Sequence, residues 1–119
     1  MLIAADIGNT NIVIGFFKDG NFLFSRRLHT GPPQSVDEYE MLLRGMLFAF
    51  NEDLDTAESG VVASVVPELT GVFIELLKRI TGQKPLIVDH ALKLGIRIET
   101  DFPEKVGHDR IANAVAAYH

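Results

Sequence analysis

The sequence predicts an α/β fold built on a mixed sheet, and three observations lead there. Two strongly β-forming runs near the N-terminus flank Asp19-Gly20, a pair suited to the positive φ angles of a tight antiparallel hairpin. Two later segments carry apolar residues at helical spacing. Each of those is followed by a short apolar run, and strands joined through a helix can pair in parallel.

Taken in order, Leu2 to Ala5 is a short apolar run that reads as a buried strand. Asn11 to Lys18 is a second strand and Phe22 to Leu28 a third, so the chain opens on a three-stranded meander. Gly31-Pro32-Pro33 breaks the pattern, and Ser35 with Glu38 three residues on forms the capping box of a helix. Val36, Tyr39, Leu43, Met46, Leu47 and Phe50 fall on one face of that helix. Asn51 to Glu58 reads as an acidic, solvated loop.

Ser59 to Val66 is the next strand, stopped by Pro67. Leu69, Val72, Phe73, Leu76, Leu77 and Ile80 mark a second amphipathic helix, ended by Gly82. Pro85 to Val88 is a strand, and Ile96 to Glu99 is read as another. A last helix begins near Asp109 and runs into His119. The order is βββαβα, then further strand and a C-terminal helix, in a single domain spanning residues 1–119.

Composition narrows the function classes. With 47% hydrophobic residues and 23% charged, the 119 residues can bury a real core. The formal charge of −5 and the scattered basic residues argue against a nucleic-acid surface. There is no cysteine, hence no disulfide framework and no thiolate metal site. No apolar run approaches the ~20 residues of a membrane span, and the start lacks a signal-peptide pattern. The expectation is a cytoplasmic domain without a membrane or nucleic-acid partner. His29, His90 and His119 lie too far apart in sequence for metal-ligand spacing.

The informative stretch is "ADIGNTNIVIGF", residues 5 to 16. An apolar strand runs into Asp6, then Gly8, Asn9, Thr10 and Asn11, and resumes at Ile12-Val13-Ile14. Gly8 would let backbone and ligand approach closely and supply an unshielded N–H. Asn9, Thr10 and Asn11 add neutral donors suited to phosphate oxygens, and Asp6 could hold Mg²⁺ through water. On the residues alone, a hairpin turn in which Asp6 and Asn9 bond local backbone is an equal alternative. Neither the Walker loop nor the dinucleotide fingerprint is present.

A D-x-G-x-T pattern at a β-hairpin opening a βββαβα unit resembles the first phosphate motif of the acetate kinase, sugar kinase and actin superfamily. Within it, "DIGNTN" is similar to the type III pantothenate kinases. "SVVP" at Ser64–Pro67 and "GHDRIANAVAA" at Gly107–Ala117 follow in that family's order. The resemblance implies a ribonuclease H-like, actin-like ATPase half, of which this chain is the N-terminal one, with the family's second domain absent. It implies ATP-dependent phosphorylation of pantothenate to 4′-phosphopantothenate, the first step of coenzyme A biosynthesis. It further implies Mg²⁺, a monovalent cation such as K⁺ whose ligand belongs to the other half, a homodimer, and an isolated half that is inactive alone.

Carried over by position, Asp6, Ile7, Gly8, Asn9, Thr10, Asn11, Ile12 and Val13 match the ATP-phosphate segment. Gly107, His108, Asp109 and Arg110 match the substrate segment, with Asp109 as the general base. A carboxylate within reach of the pantothenate hydroxyl can accept its proton, and Arg110 offers a planar cationic fork. Read without the resemblance, Asp109 is a helix N-cap and Arg110 a surface charge. His108 stands where the family commonly has a small residue, which bears on substrate fit. A sugar or small-alcohol kinase of the same superfamily, or a non-catalytic regulatory relative, is the alternative; the G-x-D-R-I-A-N run favours the pantothenate kinases over the former.

Overall fold

The computed structural model describes residues 1–88. Strands β1 (Leu2–Ile7), β2 (Asn11–Lys18) and β3 (Asn21–His29) form the predicted meander. Helix α1 (Val36–Phe48) leads to β4 (Ser59–Ser64), and α2 (Pro67–Thr81) leads to β5 (Leu86–Val88). The sheet order is β3-β2-β1-β4-β5, antiparallel on the β3 side of β1 and parallel on the β4 side. The mixed α/β sheet is therefore as expected. The strand predicted at 96–99 and the helix predicted from Asp109 lie outside the described residues.

The local signals act as read. Asp19 and Gly20 take φ of 54° and 79°, the positive pair that a two-residue hairpin needs. The Glu38 N–H donates to Ser35 Oγ over 3.1 Å while Glu38 Oε1 accepts from the Ser35 N–H over 3.0 Å, the reciprocal box that starts α1. Gly82 ends α2 at φ 80° with its N–H on the Lys78 carbonyl.

Several boundaries differ, each for a physical reason. β1 continues to Ile7 rather than stopping at Ala5, because Asp6 and Ile7 still have strand partners on both sides. Asp6, expected at the very end of the strand, therefore lies inside the sheet with a partner on each side. β4 stops at Ser64 rather than Val66: Ser64 Oγ accepts from the Val66 N–H over 3.0 Å and turns the chain toward α2. Phe50 falls beyond α1, and its ring stacks on Phe24 of β3 with centroids 3.8 Å apart. The acidic loop contains a single 3-10 turn, Leu54–Thr56, whose Leu54 is fully buried.

Alternation along the strands separates two faces. Ile3, Ala5 and Ile7, with Ile12, Ile14, Phe16 and Phe24, share one core with Tyr39, Leu43 and Leu47 of α1 and Leu69, Phe73, Leu76 and Leu77 of α2. Both helices thus cover the same face. Leu2, Ala4, Phe17, Val61, Ala63 and Val88 form a second buried apolar set on the opposite face. Each large aliphatic or aromatic side chain so buried contributes about 1.5–3 kcal/mol. At Gly60 of β4 the helix α2 comes close to the sheet, a Cβ there standing 2.9 Å from Leu77 Cδ1.

Outside the core, Arg79 of α2 pairs with Asp37 and Glu40 of α1, and Arg44 pairs with Glu40 and Asp55. These exposed pairs link both helices to the 3-10 turn, each worth about 0–1 kcal/mol.

Candidate phosphate site at the edge of the sheet

β1 and β4 run in parallel, so Ile7 and Ser64 finish side by side at one edge. That edge, beyond the carboxyl ends of parallel strands, is where open α/β sheets bind ligands. The β1–β2 turn, the Ser64–Val66 bend and the start of α2 all meet there.

Asp6 roots the turn. It pairs with Val13 on β2 and Ala63 on β4, and at 4% exposure it is the one buried charged residue among those described. It belongs to the sheet face away from α1 and α2, in alternation with Ile7, which is buried under the helices. A buried carboxylate is held by interactions with its surroundings, and its position at the root of the turn makes Asp6 a candidate site residue.

The turn itself is braced. The Gly8 N–H donates to the Asn11 carbonyl over 2.9 Å, so this N–H serves the turn rather than standing open toward a ligand as its sequence context suggests. Thr30, just past β3, donates its N–H to Thr10 O over 2.8 Å and its hydroxyl to Gly8 O over 2.9 Å. Asn9 and Thr10 stay exposed at the tip. A Cβ on Gly8 would lie 3.2 Å from Asn11 O, tighter than ordinary contact. The flanking Ile7, Ile12 and Val13 are buried, so their side chains support the turn from within the sheet.

Thr30 braces the candidate site's turn, and sequence reasoning missed it. Its signal lies in the pairing of β2 with β3, which a local motif does not reveal.

On the neighbouring strand, the Val65 N–H donates to Ile7 O over 3.1 Å and ties the bend to β1. α2 starts at Val66 with no side-chain cap, and Pro67 occupies its first turn, where a missing N–H costs nothing. The structure thus brings together the Asp6–Val13 segment and Ser64–Pro67. Gly107, His108, Asp109 and Arg110 lie outside the described residues. Among the described residues, no cluster of three or more His, Cys, Asp or Glu is placed to hold a metal. A single buried carboxylate fits Mg²⁺ bound mainly by water and phosphate oxygens, the usual manner of that ion. No described helix is long and apolar enough to cross a membrane.

The fold and this turn define the class: a ribonuclease H-like α/β domain opening on a D-x-G-x-T hairpin. RuvC of T. thermophilus, solved in complex with Holliday junction substrate, shares the fold with a TM-score of 0.51, over 95% of this chain and 88% of that one. At 14% identity that likeness concerns architecture alone.

The family is given by the sequence as a whole. The type III pantothenate kinase family model matches residues 2–119, and the chain belongs to that family. It is 41% identical to the type III pantothenate kinase of Finegoldia magna over 117 residues, 98% of this chain and 45% of that protein. It is 39% identical to that of Geobacter sulfurreducens over 118 residues, covering 99% and 46%. The chain thus spans just under half the length of the curated relatives it matches.

Proposed function

We propose that this chain provides the ATP-phosphate half of a pantothenate kinase that phosphorylates the primary hydroxyl of pantothenate and releases ADP. The observation that supports this most is Asp6: a buried carboxylate at the root of a turn braced from two strands, at the carboxyl edge of the sheet. A rigid turn suits phosphoryl transfer, which depends on alignment and charge stabilisation more than on covalent chemistry.

In this reading residues Asp6 to Val13 hold the phosphates, with Asn9 and Thr10 as the exposed donors and Asp6 as the Mg²⁺ anchor. Mg²⁺, when bound, offsets the charge of the phosphate oxygens. Gly107, His108 and Arg110 hold pantothenate. Asp109 accepts the hydroxyl proton as the new O–P bond forms and the bond to the ADP oxygen breaks, and later passes it to water. In this reading residues 1–119 form one domain, the kinase uses K⁺, and the working form is a cytoplasmic homodimer.

The test is pantothenate-dependent ADP release, with Mg²⁺ and K⁺, by the longest native chain that contains these residues. Asp109→Asn should lower turnover by about 10²–10⁴-fold, the usual worth of a general base, with ATP binding retained. Absence of ADP release by the unaltered protein, with ATP bound normally, would overturn the assignment of substrate.

A further inference from the structure

We infer that Arg27 is a phosphate-binding residue of the same site, a reading that rests on the Asp6 turn being the ATP-phosphate segment. The first support is the register of the sheet. Asp6 pairs with Val13 and Val13 pairs with Arg27, so the three form one cross-strand row. Asp6 lies on the face away from the helices, as its alternation with Ile7 requires, and directly paired residues share a face. Arg27 therefore projects from the face that carries Asp6. Its neighbour Arg26 goes the other way, with its guanidinium 4.7 Å from the ring of Phe50 and 5.2 Å from that of Phe24.

The second support is reach. Asp6 and Arg27 are two strand spacings apart, about 10 Å between backbones. The residue between them is Val13, short, apolar and buried, which offers no polar group to divert a guanidinium. A polyphosphate lying over Asp6 would be within range of a long side chain from the next strand but one.

The third support is charge. Arg44 and Arg79 each have carboxylate partners, as does Lys18 with Glu52. Arg27 is exposed and makes no ion pair among the described residues. Asp6 with a triphosphate would gather strong negative charge at the turn, and a planar cationic fork is the group best matched to it. His29, exposed and opposite Asn11, continues the same face toward the turn and extends this polar wall.

Calorimetric titration of the full-length protein with ATP in the presence of Mg²⁺ tests the assignment. Arg27→Gln should weaken ATP binding about tenfold, the loss of one charge-assisted contact, and Arg27→Lys should recover part of it. Adenosine binding should be unchanged in both. Arg26→Gln, on the opposite face, should bind ATP as the unaltered protein does. Unchanged ATP affinity in Arg27→Gln overturns the inference while leaving the kinase reading intact. Loss of pantothenate-dependent ADP release in the unaltered protein affects only that reading, because titration needs no turnover. An unaltered protein that binds no ATP overturns both.

Discussion

The hydroxyl of Thr30 donates to the carbonyl oxygen of Gly8 over 2.9 Å, joining the end of β3 to the turn that begins after β1. The backbone N–H of Thr30 holds Thr10 in the same way. One residue outside the motif therefore fixes both ends of the motif's tip.

Thr30→Val keeps the shape and β preference of the side chain and removes only the hydroxyl. A half-buried hydrogen bond of this kind contributes about 1 kcal/mol. The variant should unfold at lower urea concentration and bind ATP more weakly, because the turn is held from one side fewer. Equal urea midpoints and equal ATP affinity would show that the turn is rigid without it.

Gly60→Ala tests the seat of α2 on the sheet. The added methyl would stand 2.9, 3.2 and 3.4 Å from Cδ1, Cβ and Cγ of Leu77. Overpacking of this sort costs about 1–3 kcal/mol, and Leu77→Ala alone costs about 2–5 kcal/mol. The double variant should be more stable than the sum of the two losses, since the methyl then enters space that Leu77 has vacated. Strict additivity in urea unfolding would contradict the contact.

The capping box gives α1 a pH dependence. The backbone N–H of Ser35, and then its hydroxyl, hold the Glu38 carboxyl below its ordinary value of 4.5. The unfolded chain thus takes up this proton at higher pH than the folded one. The stabilisation is present above about pH 4.5 and is lost as pH falls through the lowered folded value. Ser35→Ala should lower the urea midpoint near neutrality, and that difference should shrink in acid. A difference that stays constant down to about pH 3 would contradict the linkage.

Phe50→Ala should destabilise the protein although Phe50 is partly exposed. Its ring lies parallel to Phe24 within 4°, and Phe24 stacks in turn on Phe16 at 4.6 Å. The pair adds about 0.5–1.5 kcal/mol beyond its area. Phe50→Leu, which keeps apolar area but not the stack, should fall between the two in thermal unfolding. A leucine variant as stable as the original would remove stacking from the account.

Much of the architecture was legible because its signals are local. Asp19-Gly20, Ser35 with Glu38, and Gly82 each act within a few residues, and the helix faces follow from spacing. The turn at Asp6–Asn11, the core of the candidate site, was legible as a turn for the same reason. What escaped depends on pairing across strands. The register of β2 and β3 shifts between Phe16 and Phe17, so Phe16 faces Phe24 and Leu23 is passed over. That bulge places Thr30, rather than His29, against Thr10, and sends Arg27 rather than Arg26 to the face of Asp6. Nothing in "GNFLFSRRLHT" announces it. The burial of Asp6 was hidden likewise, since it comes from β4, far along the chain.

The central place of β1 has a consequence for how the molecule assembles. Its partner β2 follows at once and β3 soon after, so the meander can close while later residues are still being synthesised. The other edge of β1 waits for Ser59–Ser64. Until then a strand destined for complete burial presents a row of unpaired N–H and C=O groups, the kind of edge that recruits stray strands. Folding therefore has a vulnerable interval bounded by the arrival of β4, and substitutions that delay α1 should reveal themselves first as aggregation during synthesis rather than as lost stability once folded.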